Sequence, residues 1–360
     1  MLRFGSNPFK KAGVEVRFPC QAVLIDEHKL LIGDSEEIES RAVLIAAGLD
    51  PMVPQVPGLR EAGYVDNAGV LELKELPTRL AVIGSGPIGC EFAQIFSRFG
   101  VQVTLIDTGR RILSSEEPET STAVRAAFEA EGIEIRSGIR MTGVETVDGI
   151  KRILFESSAS IEVDEILVAV GRSLDGKPLG LHTAGIAWSS RGIKVDDRMR
   201  TSQPWAWAAG DIVGGPMFTH VASEMGRVAA HNALRRGAER MDLRVVPRVT
   251  FTDPEVASVG LTEAAAKRHG RKVRVGFARM IDAEKAQIDG LELGHVKCVA
   301  DAKTNELLGC HIVAESAGEM IHEAVAIMAA RTPAKVIANA MHAYPTLSAL
   351  MRMALKEAAG

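Results

Sequence analysis

The segment Gly84-Ser85-Gly86-Pro87-Ile88-Gly89 sets three glycines at a GxGxxG spacing, and an acidic residue, Asp107, ends the next β-prone run. Each glycine answers a separate physical need: Gly84 permits a tight turn, Gly86 lets backbone approach a diphosphate, and Gly89 lets a helix lie close on a strand. Unpaired N–H groups in the first turn of that helix then face the phosphate charge. Asp107 can accept hydrogen bonds from ribose hydroxyls and repel a 2′-phosphate, so the pattern predicts a dinucleotide site that favours NAD over NADP. Arg110 and Arg111, just beyond, read as solvated surface charge in preference to partners of a 2′-phosphate. A glycine turn without a ligand is the competing reading, and the flanking strand, helix and acid weigh against it.

The elements that must position these residues follow from hydrophobic patterning. Leu80-Ala81-Val82-Ile83 reads as a buried strand entering the turn. Ile88, Phe92, Ile95, Phe96 and Phe99 recur at helical spacing, predicting one apolar helix face, with Gly100 as its stop. Val101 to Ile106 is the second strand. Two further buried-strand runs, Ile166 to Val170 and Trp205 to Ala209, end in Gly171-Arg172 and Gly210-Asp211, which predicts sheet edges facing a ligand. A helix is expected from Thr219, with Val221, Met225, Val228 and Ala229 on one face. Upstream, Val14 to Phe18, Gln21 to Ile25 and Ile38 to Ile45 are β-prone, and the last runs into Ala46-Ala47-Gly48. The proline-rich stretch Pro51 to Pro57 predicts a connection between domains. From Pro247 onward the pattern is that of a separate α+β unit.

Composition narrows the function. The chain has 360 residues, with 42 Lys and Arg against 46 Asp and Glu, so it carries no electrostatic footprint for nucleic acid or an anionic membrane. A small-molecule partner is the expectation. Its longest apolar stretch, Leu80 to Phe96, is broken by glycines, Pro87 and Glu91, and does not read as a membrane span. Met1 to Lys11 has no apolar run behind it and does not look like a secretory signal. Cys20, Cys90, Cys298 and Cys310 form no CxxC pair and no metal-ligand spacing, which predicts no metal site and a reducing, cytoplasmic setting. Cys298 and Cys310 flank the turn-like Ala302 to Asn305, where they can face each other across a hairpin as buried reduced thiols.

Taken in order, Leu44 to Gly48, Gly84 to Glu91, Val168 to Arg172, Ala208 to Asp211, Phe251 to Gly260 (FTDPEVASVG) and His342 to Ser348 (HAYPTLS) resemble the motifs of the pyridine nucleotide-disulfide oxidoreductases. The mercuric reductase-like and dihydrolipoamide dehydrogenase-like members look most similar. The resemblance implies an α/β architecture. A partial FAD-binding Rossmann-like domain (1–75 and 190–246) carries an inserted NAD(P)-binding Rossmann domain (76–189), followed by an α+β dimerisation domain (247–360) and a homodimer. It further implies that hydride passes from NAD(P)H to FAD and on to an acceptor the sequence does not identify. By position, Asp211 would bind the FAD ribitol, Met217, Phe218 and Thr219 would line the flavin ring, and Gly48, Gly171 and Gly210 would belong to the cofactor motifs. A helix opening at Thr219 would aim its positive end at charge building on the ring.

Departures from the family pattern shape the chemistry. Its first GxGxxG and its CxxxxC redox pair do not occur before Gly48, so the sequence is expected to begin inside the FAD domain. The lysine that pairs with the residue at Glu91 belongs to that same segment. Where the family places a catalytic His and its carboxylate, this chain has Tyr344 and Ala349. A phenol with a pKa of about 10 is a poor general base at neutral pH beside an imidazole near 6.5, which disfavours dithiol-disulfide exchange. Tyr344 and His342 remain the acid–base candidates. Two alternatives stand beside the flavoenzyme: a catalytically silent nucleotide-binding dimer, and a metal-ion reductase that takes its thiols from outside this sequence.

Overall fold

A computed structural model describes residues 8–235 and 239–360, so most of the Met1 to Lys11 segment lies outside the described residues. The chain forms two units: residues up to Asp50 with Ser173–Met241, and Pro51–Arg172 with Asp242–Gly360.

In the first unit, strands Ala22–Asp26, Lys29–Ile32 and Glu36–Glu39 form an antiparallel sheet in sequence order. Strand Val43–Ile45 pairs in parallel with Ala206–Ala208. Leu24, Ile45, Leu181, Ile186, Ala206 and Ile212 close the core. The helix Thr219–Arg235 buries Val221, Met225, Val228 and Ala229, the face its periodicity predicts. Two readings need correction. Val14 to Phe18 forms no strand, and its residues are exposed, with Arg17 paired to Glu15 and Glu36. Ile38 to Ile45 is not one run, because the polar Ser40-Arg41 divides it into two strands.

The second unit holds a parallel sheet ordered Glu165–Val168, Arg79–Ile83, Gln102–Asp107, Glu134–Ser137. Alternation sends Leu80, Val82, Val103 and Leu105 to one face, where they meet the helices Pro87–Arg98 and Pro118–Ala130. Ala81, Ile83, Ile106 and Ile166 pack the other face against the antiparallel sheet Met141–Val147, Ile150–Phe155, Ser160–Val163. Each such aliphatic side chain, taken out of water, contributes about 1.5–3 kcal/mol. The expected helix face is wrong, however. Helix Pro87–Arg98 buries Gly89, Cys90, Ala93 and Phe96, while Ile88, Ile95 and Phe99 are exposed. Gly89 explains it: a Cβ there would sit 1.9 Å from the Gly84 carbonyl oxygen, so the small-residue stripe is the one that can approach the strand.

Also in this unit, strands Pro247–Thr250, Glu255–Gly260, Leu307–Ala314, His295–Asp301 and Val273–Arg279 form an antiparallel sheet in that spatial order. Helices Ala317–Ala329 and Ser348–Ala359 cover one face, and their Ile321, Ala324, Ile327, Leu350, Met351 and Leu355 sit in this domain's own core. On that face Cys298 lies opposite Cys310 across the hairpin, with sulfurs 3.9 Å apart. The opposite face carries a row read across four strands, Arg248, Ser258, His311 and Lys297.

Unit borders fall elsewhere than the expected 75/76 and 189/190. Val56 and Leu59 pack with Val144 and Ile153, while Leu174, Leu181 and Ala184 pack with Leu24 and Ile45. Residues 51–75 therefore go with the four-stranded parallel sheet and 173–189 with the first unit, and the proline-rich Pro51 to Pro57 stands at the border.

Candidate functional site

The three glycines of the turn separate by what a side chain would meet. Gly84 lies at φ +102°, and a Cβ would come within 2.5 Å of the Ala169 carbonyl oxygen. Gly89 faces the Gly84 carbonyl, as above. Both are required by the fold itself. Gly86 is different: nothing lies within 4 Å of where its Cβ would point, and its φ of −72° suits any residue. The chain here keeps a bare, open backbone at the N-cap of the helix Pro87–Arg98, where a diphosphate can approach the positive helix end.

Asp107 sits at the tip of the adjacent strand, and its carboxylate binds the turn. Oδ2 accepts from the Ser85 N–H (2.7 Å) and hydroxyl (2.6 Å), and Oδ1 from the Gly109 N–H (2.6 Å). Oδ1 keeps a lone pair for a ribose hydroxyl. The Ser85 carbonyl in turn accepts from Leu113 N–H (2.8 Å) and from the Cys90 thiol (3.3 Å). Burial pushes the Cys90 thiol up, so it is an inert spacer, not a nucleophile. Ser85 and Leu113 were not singled out from sequence. The signal for Ser85 was available, since a hydroxyl between two turn glycines beside an acidic strand end has an obvious acceptor; Leu113 had none.

Arg111 is occupied by the Ser121 hydroxyl (3.0 Å) and the Ser114 carbonyl (3.2 Å), while Arg110 is exposed. Gly171 lies at φ +117°, its carbonyl accepting from Met52 N–H (2.9 Å). Glu91, at the end of the glycine motif, accepts the Phe251 N–H at 2.8 Å, tying the helix to the Phe251 to Gly260 segment. Burial raises its carboxyl, against the pull of that amide.

In the first unit, Gly48 and Gly210-Asp211 follow the carboxyl ends of two adjacent parallel strands, the place where open α/β sheets bind ligands. Gly48, at φ +74°, has no atom within 4 Å of a Cβ position, leaving a second bare backbone; Gly210, at φ +80°, would touch only Ala222. Asp211 opens the short turn Asp211–Val213. Thr219 heads the 17-residue helix, exposed, with Met217 exposed before it and Phe218 stacked on His220 at 5.5 Å. An open strand end, a carboxylate and a helix N-terminus fit the ribitol and ring portions of a flavin nucleotide.

Toward the C-terminus, the structure does not assemble an acid–base pair at Tyr344. Its ring is exposed, and Ala349 offers no carboxylate. His342 is engaged at both nitrogens, Nε2 with Glu323 Oε1 (2.9 Å) and Nδ1 with the Ala340 carbonyl (3.2 Å). A neutral imidazole donates to only one of these two acceptors, and the contact with Glu323 ties the loop before Tyr344 to the helix Ala317–Ala329.

Among the described residues, no helix is long and apolar enough to cross a membrane. The family model for pyridine nucleotide-disulphide oxidoreductases matches residues 7–226, and that for their dimerisation domain matches 246–355. A mercuric reductase of Bacillus cereus is 40% identical over 295 residues, 81% of this chain and 47% of that protein. Dihydrolipoyl dehydrogenase 3 of Pseudomonas aeruginosa is 33% identical over 334 residues, 91% of this chain and 71% of that protein. The chain spans about half the length of the first mercuric reductases it matches. Among solved structures, the HOCl-induced flavoprotein disulfide reductase RclA from Escherichia coli superposes with a TM-score of 0.85 at 28% identity, over 93% of this chain and 78% of that one. With a model matched over more than half its length and relatives at these identities, this chain belongs to the pyridine nucleotide-disulphide oxidoreductase family, oxidoreductases that use FAD and NAD(P)H.

Proposed function

We propose that this chain carries the nicotinamide half of an FAD-dependent NADH oxidoreductase that works as a homodimer. The observation that carries the reading is the bare backbone at Gly86, beside an acidic strand tip and a helix N-terminus, in a turn whose other two glycines the fold already needs. Gly86 and the first turn of the helix would take the diphosphate. Asp107, fixed by Ser85 and Gly109, would offer its remaining lone pair to the adenosine ribose and place negative charge where a 2′-phosphate would sit.

FAD, when bound, supplies the hydride-accepting ring. Gly48, Gly210 and Asp211 would hold its ribitol side, and Met217, Phe218 and Thr219 would line the ring, with the helix N-terminus favouring negative charge there. A dithiol exchanged through a His–carboxylate pair is disfavoured as the acceptor, because Tyr344 and Ala349 occupy those positions. Cys90, Cys298 and Cys310 are buried free thiols, which suits a reducing, cytoplasmic setting and gives no exposed pair for metal reduction.

The test is a titration followed by nicotinamide fluorescence. Wild-type protein should bind NADH more tightly than NADPH, and Asp107→Ala should weaken NADH about tenfold or more while narrowing that preference. Unchanged NADH affinity in the variant sinks the assignment. Flavin retention is read from the visible spectrum: a yellow protein bleached by NADH supports the enzyme, and a colourless one that binds NADH supports a silent nucleotide-binding dimer.

A further inference from the structure

The glycine turn is tied to the C-terminal sheet through a short strap, Ile112 to Glu117. At one end, Leu113 donates its N–H to the Ser85 carbonyl (2.8 Å) from a left-handed conformation, φ +46°, with its side chain fully buried. Such a φ strains a leucine and persists only where its surroundings over-determine it. Glu116 donates its N–H back to the Leu113 carbonyl (2.9 Å), closing the turn. Its carboxylate accepts from Arg248 Nε at 2.7 Å. Glu117 accepts from Lys297 Nζ at 3.1 Å and from the Glu263 N–H at 2.5 Å. Lys297 is 3% exposed and also meets Glu119 (3.0 Å) and Glu263 (3.1 Å). Between the two pairs lies His311, wholly buried, its Nδ1 3.6 Å from Glu116 and without a hydrogen bond.

Buried ion pairs are poor sources of stability, because desolvation offsets their attraction. What they do is hold an arrangement in place, because separating one pair strands a buried charge. Here that arrangement ends on Ser85, whose N–H and hydroxyl go to Asp107 and whose carbonyl goes to Leu113, so the residue before Gly86 is held on both sides of its peptide. Among the described residues, neither Arg248 nor Lys297 hydrogen-bonds a residue of the glycine turn; their hydrogen-bonded link to Ser85 runs through the strap.

We propose that Arg248 and Lys297 are positioning residues for the dinucleotide: by clamping Glu116 and Glu117 they hold Leu113 against Ser85 and fix the open backbone at Gly86 in its phosphate-binding form. This rests on the turn being the NADH site, and the test separates the two ideas. In the full chain, Glu116→Gln and Arg248→Met should each weaken NADH binding about tenfold, and the double variant should be no weaker than the worse single one. Amide hydrogen exchange at Ser85 and Leu113 should quicken in both, while that at Leu80 and Leu105 in the sheet stays as in wild type. NADH affinity within twofold of wild type, or unchanged exchange at Ser85 and Leu113, overturns the clamp. Should Arg248→Met fail to fold, Glu116→Asp and Arg248→Lys decide the matter, since they keep the charge and alter only its reach. If wild-type protein binds no NADH, the cofactor reading fails, and the exchange rates still judge the strap.

Discussion

The inner strands of the five-stranded C-terminal sheet are buried on both faces, one apolar and the other mixing charged groups with Val256 and Val313. One face sets Cys298, Cys310, Ile312 and Val296 under helices that return Met351, Ala354 and Leu355. On the other, Arg248, Lys297 and His311 meet Glu116 and Glu117 from the dinucleotide domain. The same strands supply both, because consecutive side chains point to opposite sides. The apolar face gains free energy from area removed from water and tolerates swaps that conserve volume. The ion pairs of the other face gain little net energy, but they hold Glu116 and Glu117 to Arg248 and Lys297.

The sharpest way to break this contrast is at Lys297. Lys297→Ala strands Glu117 as an uncompensated buried charge and should cost about 3–5 kcal/mol in denaturant unfolding. A loss under 1 kcal/mol would mean the charged face is not closed to water. On the apolar side, Met351→Ala opens a cavity beside both cysteine sulfurs, 3.7 and 3.8 Å away, and should cost about 2–4 kcal/mol without altering NADH affinity. Any change in NADH binding there would show that the two faces are not independent.

Most specific to the charged face is the response to acid. Burial lowers His295 from its ordinary 6.5 to about 4, with Glu119 opposing. The native form stays neutral while the unfolded chain takes up a proton, so stability should fall as pH drops from 6.5 towards 4. For Glu116, burial pushes the carboxyl up, but His311 and Arg248 more than reverse it and hold it at about 2. Its contribution is therefore complete above the ordinary carboxylate range and should be lost as pH falls from about 4.5 towards 2. His295→Phe should flatten the first window in melting curves, whereas Cys298→Ala should leave both slopes intact.

Much of this architecture was legible in the residues. The glycine spacing with Asp107, the buried face of the Thr219 helix and the facing cysteines across Ala302 to Asn305 are local patterns, and local patterns survive folding. The helix Pro87–Arg98 misled because its bulky stripe is the more hydrophobic, while contact distance at Gly89 selected the small one. The strap was invisible for another reason. Glu116 and Arg248 lie 132 residues apart, and nothing in the spacing of charges says which distant partner a carboxylate will find. A strained Leu113 has no sequence signature either, since leucine gives no hint of a left-handed turn.

That separation has a consequence for how the molecule is made. At about 5–20 residues per second, a ribosome delivers Arg248 roughly 7 to 26 seconds after Glu116. Throughout that interval Glu116 is without Arg248, and Glu117 waits longer still for Lys297, 180 residues away.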